Sequence, residues 1–340
     1  MKSAIFLDFK PPESWRFIKD LEKKTGRKYD CVFMDSHNQQ GKKRALRYLS
    51  YVFMPLKYVE ENQYDLIIAW QQFYGLFFAF WSRLLKRKKT TKLIIMTFIY
   101  KKKAGFKGII YDALMRYILG GGYIDKFICF SEEECKKYSS YFHIDRRKFS
   151  SCKLEVEDAC FMDSGNIEGE EEFYLTAGRS NRDYKYICEA FRKMPLRKLI
   201  IICDSEQIEN LPENIEWKNN VHGTEYMNYL SRCRAVIVPL NISCGDISAG
   251  QLVIIQGMMF SKIVIATKTT TTEEYINDQR NGLLINNNYE ELSKTLDAIE
   301  YGKYNYIKNA ARRYYKANYS GSNMAESIAN ALNEIERGKI

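Results

Sequence analysis

Ten short runs rich in Ile, Val, Leu and Phe recur along the chain, and none alternates strictly between apolar and polar residues. In the first half they fall at Ala4–Phe9, Asp30–Met34, Asp65–Trp70, Lys92–Phe98 and Lys126–Phe130. In the second half they fall at Phe173–Ala177, Lys198–Cys203, Ala235–Leu240, Ile263–Thr267 and Gly282–Ile285. A strand wetted on one face alternates; a strand covered on both faces does not, so these runs predict parallel sheets. Helical patterns separate them in both halves, which predicts an α/β chain with two Rossmann-like doubly wound domains. A length of 340 residues suits two cores better than one. The boundary is expected at Glu155–Glu172, an acidic stretch with Gly165, Gly169 and little apolar pattern. This gives an N-terminal domain over 1–155, a linker over 156–172, a C-terminal domain over 173–320 and a terminal helix over 321–340. The two domains are expected to face a central cleft lined by strand carboxyl ends, the usual ligand position.

Composition narrows the function classes. An apolar share of 46% beside 28% charged residues fits a folded globular protein and argues against disorder. Nine cysteines are scattered without a C-x-x-C pair, several inside apolar runs. They read as buried thiols of a reducing compartment, with neither a disulfide frame nor a zinc site. No His/Asp cluster suggests a metal, and no cofactor is expected. The N-terminal apolar run meets Asp8 at once, too early for a signal peptide. The run Leu66–Leu85 approaches membrane-spanning length, but Gln71, Gln72 and Gly75 interrupt it, and it reads as a buried strand followed by a helix.

The net charge of +10 is unevenly placed. From Arg83 to Tyr111 there are ten basic residues and no acidic one, and aromatic and aliphatic residues interleave with Lys101, Lys102, Lys103 and Lys107. An amphipathic helix beginning near Gly105 would carry them. The Arg83–Tyr117 region therefore suits an anionic membrane surface, where each basic side chain contributes ~1 kcal/mol. A solvated lysine-rich face is the plain alternative. Nucleic acid is not the expected partner, because no helix-turn-helix, zinc or RNP-type pattern accompanies the charge.

The segment Gly245–Leu284 reads as a Gly-containing loop, an apolar helix, a buried strand, a loop ending in Glu274 and an Asn281-Gly282 turn. That order sets a helix N-terminus at a sheet's carboxyl edge, where an anion binds readily. Upstream, Thr176–Lys185 places Gly178, Arg179, Arg182 and Lys185 at a strand end opening a helix. Asn220–Leu240 supplies a strand, His222 and Gly223 at a turn, a helix and a buried strand.

From Phe173 to about Ile285 these pieces resemble, in order and spacing, the donor half of the glycosyl transferases group 1 (GT4-type) family of GT-B glycosyltransferases. The resemblance implies the GT-B fold, with Met324–Glu336 crossing back to the first domain. It implies a UDP- or GDP-sugar donor whose diphosphate is held by Arg179 and a second cation. The family's lysine falls on Tyr184, so Arg182 or Lys185 substitutes; a guanidinium grips phosphate bidentately and an ammonium acts as a point charge. The family's two acidic positions fall on Ser248 and Gln256. Gln256 still offers acceptors and donors to a ribose, while Asp246 is the nearest carboxylate to replace what Ser248 lacks at the donor sugar. Gly250, Gln251 and Leu252 would aim N–H groups at the diphosphate and sugar, His222 and Gly223 would lie near the base, and Glu274 falls on the family's acidic position after the next strand.

On the acceptor side Asp8, Asp35 and His37 follow strands and are candidates for acceptor binding or base catalysis, each with an equal role as a turn or cap residue. The resemblance thus implies a glycosyltransferase, retaining by analogy, peripheral on the inner face of the cell membrane. Its acceptor would be a lipid-linked glycan in bacterial exopolysaccharide, capsule or similar polysaccharide synthesis. A catalytically silent partner protein and a sugar-nucleotide epimerase share the fold and stay open as alternatives.

Overall fold

The computed structural model describes residues 2–13, 15–34, 42–156, 172–205, 207–244 and 249–338. Asp35, His37, Asp246 and Ser248 lie outside the described residues, as does the acidic segment over 157–171. In chain order the first elements are β1 (Ser3–Leu7), α1 (Arg16–Thr25), β2 (Tyr29–Phe33), α2 (Lys42–Glu61), β3 (Leu66–Ala69) and α3 (Gln72–Leu84). They continue with β4 (Lys92–Ile95), α4 (Gly105–Leu119), β5 (Lys126–Cys129), α5 (Glu132–Phe142) and β6 (Phe149–Ser151). Next come β7 (Phe173–Ala177), α6 (Tyr184–Arg192), β8 (Lys198–Ile202), β9 (Ile215–Lys218), α7 (Gly223–Arg232), β10 (Ala235–Val238) and α8 (Gln251–Met259). The last are β11 (Ile263–Thr267), α9 (Thr270–Glu273), β12 (Leu283–Ile285), α10 (Tyr289–Glu300), α11 (Asn305–Asn318) and α12 (Asn323–Glu336).

The chain divides into two compact units, Met1–Lys153 with Ser322–Ile340, and Leu154–Gly321. The first unit carries an all-parallel sheet in the order β2-β1-β3-β4-β5-β6. Its run Leu66–Leu85 is the strand β3 followed by α3, and among the described residues no helix is long and apolar enough to cross a membrane. Helix α12 packs on α1 and is tied to this unit by Lys24–Glu326 at 3.2 Å and Lys126–Glu334 at 2.6 Å. Lys126 is buried, and its Nζ also donates to Arg147 O at 2.6 Å, so its charge is fully partnered.

The second unit carries a parallel sheet in the order β12-β11-β10-β7-β8-β9. Its strands show why the sequence runs do not alternate. Leu175, Ile200, Val236 and Val264 pack into one core, while Tyr174, Leu199, Ile237 and Ile265 pack into another across the sheet. Both faces are apolar because both are covered by helices. Two strands, β6 and β9, have no counterpart among the runs read from the sequence. Both are sheet edges, and the mixed polarity of Ile215–Lys218 follows from an edge that is only partly covered.

Candidate functional site

In the second unit the sheet grows from β7 through β8 to β9, then reverses to β10 on the other side of β7. Ligands of open α/β sheets settle outside the strand carboxyl ends at such a reversal. A cavity of ≈ 480 Å³ lies there. Its walls come from the end of β7 (Ala177, Gly178, Arg179, Ser180), the end of β8 (Ile202, Cys203, Asp204), the start of α7 (Val221, His222, Gly223, Tyr226, Met227) and the first turns of α8 (Leu252, Val253, Gln256).

The β7 wall is shaped by Arg182. Its Nε donates to Ala177 O at 2.9 Å and its Nη1 to Ser180 O at 2.7 Å. Gly178 has φ +102°, and a Cβ there would stand 2.7 Å from Arg182 Nη2. Gly250 has φ +87°, and a Cβ there would meet Val238 Cγ1 at 2.7 Å and Arg182 Nη1 at 3.8 Å. The guanidinium therefore fills the space beside Gly178, while Val238 fills the space beside Gly250, so only a hydrogen at Cα leaves room at either position. Desolvation pushes its pKa below the ordinary guanidinium value, and the two carbonyls supply the hydrogen bonds that water would have made. Tyr184, at the position of the family's lysine, is buried beneath the same loop and donates from its hydroxyl to Gly178 O.

Arg179 differs from Arg182 in kind: it is exposed on the cavity wall. Helix α8 opens opposite. Gly250 caps it without a side-chain bond, and the first intrahelical bond runs from Ile254 N to Gly250 O at 2.9 Å. The amides of Gln251, Leu252 and Val253 thus precede the helix ladder and carry its positive end. Deeper in the cavity, Tyr226 donates to Gln256 Oε1 at 3.3 Å, and burial raises the tyrosine's pKa. At the rim, Asp204 Oδ1 accepts from Asn220 N at 2.7 Å, and Asp204 Oδ2 lies 3.4 Å from His222 Nε2.

The structure brings Gly178, Arg179, His222, Gly223, Leu252 and Gln256 together around the cavity, with Arg182 and Gly250 directly behind its walls. Lys185 is exposed in the first turn of α6 and is not on the wall. Gln251 is buried beside the cavity, and among the described residues its Nε2 has no partner. Glu274 is the C-cap of the short helix α9 and is not among the wall residues. Tyr226, Met227, Asp204 and Cys203 were not singled out from the sequence. Tyr226 and Met227 stand three and four residues after Gly223, the helical spacing that shares one face, and that was the available signal. In the first unit Asp8 is buried after β1, where its Oδ2 accepts from Arg47 Nη2 at 2.7 Å, Tyr51 OH at 3.1 Å and Gln71 Nε2 at 3.2 Å.

Residues 173–299 match the model of the family described as glycosyl transferases group 1. The whole chain is similar in fold to solved structures of low identity. Against Anabaena HepE in complex with UDP-glucose the TM-score is 0.69 at 14% identity, covering 98% of this chain and 100% of that one. Against a Rickettsia africae glycosyltransferase it is 0.65 at 16% identity, covering 99% and 98%. Against sucrose-phosphate synthase from Thermosynechococcus elongatus it is 0.69 at 13% identity, covering 100% and 99%. The chain has the GT-B fold, and its second unit is similar to the glycosyl transferases group 1 family. No curated protein matches it. The segment that matches the family begins at the first residue of β7 and contains every residue of the cavity wall.

Proposed function

We propose that the chain is a glycosyltransferase that takes its sugar from a nucleotide-diphosphate sugar held in the second unit, and passes it to a lipid-linked glycan in bacterial surface polysaccharide synthesis. The observation that carries the donor reading is the pairing of exposed Arg179 with the N-terminus of α8 on one cavity. A guanidinium and a helix N-terminus are complementary to a diphosphate. The apolar wall of Ile202, Val221 and Met227 suits the base, and Gln256 suits the ribose hydroxyls. HepE, similar in fold, was crystallised with UDP-glucose. On this reading Arg182 builds the wall that positions Arg179, and Lys185 adds positive potential from outside it.

The transfer reading is retaining. The acceptor hydroxyl oxygen forms a bond to the anomeric carbon as the bond from that carbon to the phosphate oxygen breaks. The hydroxyl proton passes to the departing phosphate oxygen, so attack and departure share one face. Arg179 and the α8 amides stabilise the charge developing on the diphosphate, a contribution typically of several kcal/mol.

The membrane reading rests on α4. Phe106, Ile109 and Ile110 are 76%, 68% and 54% exposed, and Lys101, Lys102, Lys103 and Lys107 are exposed beside them. Large apolar side chains held in water among lysines match an anionic lipid surface. The experiment is a panel of UDP-, GDP- and ADP-sugars incubated with the protein, with and without bacterial lipid extract, followed by quantifying released nucleotide. Release from one donor, increased by the extract, is expected. No release from any donor under either condition would favour the catalytically silent partner.

A further inference from the structure

Helix α2 buries Tyr51 and Val59 in the core of the first unit and leaves a second apolar stripe in water. From Tyr48 to Leu56 the chain holds no charged residue. Tyr48, Leu49 and Phe53 are each more than half exposed, and Val52 and Leu56 are partly exposed. Positions 48, 49, 52, 53 and 56 follow the helical repeat, so all five share one face. Behind that face the helix is held firmly. Tyr51 stacks on Phe73 at 5.6 Å and 27°, the Val52 carbonyl accepts from Trp81 Nε1 at 2.7 Å, and Arg47 is paired with Asp8 at 2.7 Å. Large apolar side chains gathered on one rigid face in water mark an interaction surface.

The charge order of α2 favours one occupant. The helix opens with Lys42, Lys43 and Arg44 and closes with Glu60 and Glu61. A helix dipole favours acidic residues in the first turn and basic ones in the last, and α2 has neither. A second α2 laid antiparallel corrects this. Each basic end then meets an acidic end, and each positive dipole end meets a negative one. The stripe is self-complementary in the same arrangement. With a twofold axis between positions 52 and 53, Val52 faces Phe53 of the second copy and Leu49 faces Leu56. Tyr48 then faces the exposed Lys57, a cation beside an aromatic ring. An anionic bilayer suits α2 less than α4, because no lysine lies within the stripe and Glu60 and Glu61 would meet like charge.

We propose that α2 is a homodimer interface, in which two copies of the chain pair their α2 helices antiparallel about a twofold axis beside Val52 and Phe53. One patch then serves both copies, as an isologous contact requires. The inference is independent of the donor reading, since α2 contributes no residue to the donor cavity. A single helix pair is smaller than a standard interface, so the dimer forms with rising concentration.

The test is sedimentation velocity of the full chain over roughly 1–200 μM, the range in which a small interface associates. Wild type should pass from monomer to dimer across it. Phe53→Glu sets a carboxylate beside the axis and should raise the dimer dissociation constant at least about tenfold. Leu49→Glu should do the same, and it decides should circular dichroism show Phe53→Glu unfolded. Ile109→Glu, on the exposed face of α4, should dimerise like wild type. Wild type that stays monomeric throughout overturns the interface. So does a dimer that both α2 substitutions leave intact, or one that Ile109→Glu weakens equally.

Discussion

Arg182 Nη2 occupies the space that a side chain on Gly178 would need: a Cβ at 178 would stand 2.7 Å from it. Gly178 lines the cavity and Arg182 backs that wall, because the guanidinium is pinned by Ala177 O and Ser180 O and cannot swing away freely.

Gly178→Ala should therefore destabilise the protein by about 1–2 kcal/mol from the φ of +102° alone, with more from displacement of Arg182. Both a lower Tm and weaker nucleotide binding are expected from thermal unfolding with and without UDP. A variant with unchanged Tm and unchanged UDP response would show that the loop does not depend on this contact.

The two arginines should separate by assay. Arg182→Ala removes a charge-assisted bond to the carbonyl of buried Ala177, at about 1.5–3 kcal/mol, and a second, exposed one to Ser180 O, so it should lower Tm. Arg179→Ala changes an exposed side chain and should leave Tm within the scatter of surface substitutions, about 0.5 kcal/mol. Urea denaturation of the two variants checks the contrast, and an equal loss in both would remove it.

Tyr226→Phe deletes the hydroxyl that donates to Gln256 Oε1 at 3.3 Å. A cost of about 0.5–1.5 kcal/mol is expected. Because Gln256 then loses its orientation, affinity for UDP should fall more than affinity for pyrophosphate. Competition between the two ligands in a thermal-shift assay reads this, and a parallel loss of both would place Tyr226 outside nucleoside recognition.

Acid stability should report Asp112. Hydrogen bonds from Tyr100, Arg116 and Tyr141 hold its carboxyl at a pKa of about 2. A folded pKa below the unfolded one stabilises above the unfolded value, and that contribution is lost as pH falls through the folded pKa. Asp112→Asn should thus be less stable than wild type at neutral pH, and the gap should narrow between about pH 4 and pH 2. Paired denaturation curves check it; a gap constant across that window would refute the linkage.

Replacing Lys101, Lys102 and Lys103 by Glu should move the protein from anionic liposomes into the supernatant in a sedimentation assay. With each basic residue near the surface contributing ~1 kcal/mol, three reversals exceed a hundredfold in partition. An unmoved fraction would return the run to a solvated lysine face.

Much of the fold was legible because parallel strands buried on both faces leave unalternating apolar runs, as Leu175 and Tyr174 show by entering opposite cores. The edge strands β6 and β9 escaped, since a half-covered strand such as Ile215–Lys218 leaves no such run. For the cavity, Gly178 and Gly250 were legible as turn glycines, and their φ values of +102° and +87° give the reason. The division of labour between Arg179 and Arg182 was not, because both sit in one loop and only packing shows which guanidinium is built into the wall. Tyr226 and Asp204 reach the site through tertiary packing that adjacent residues in sequence do not announce.

The central claim, that the second unit holds a nucleotide diphosphate through Arg179, is tested most directly by calorimetric titration of UDP and GDP into wild type and Arg179→Ala. Saturable binding of one nucleotide by wild type, weakened at least about tenfold by the substitution, as loss of a charge-assisted bond requires, is the predicted result. No binding of either nucleotide, or equal affinity in both proteins, would contradict it.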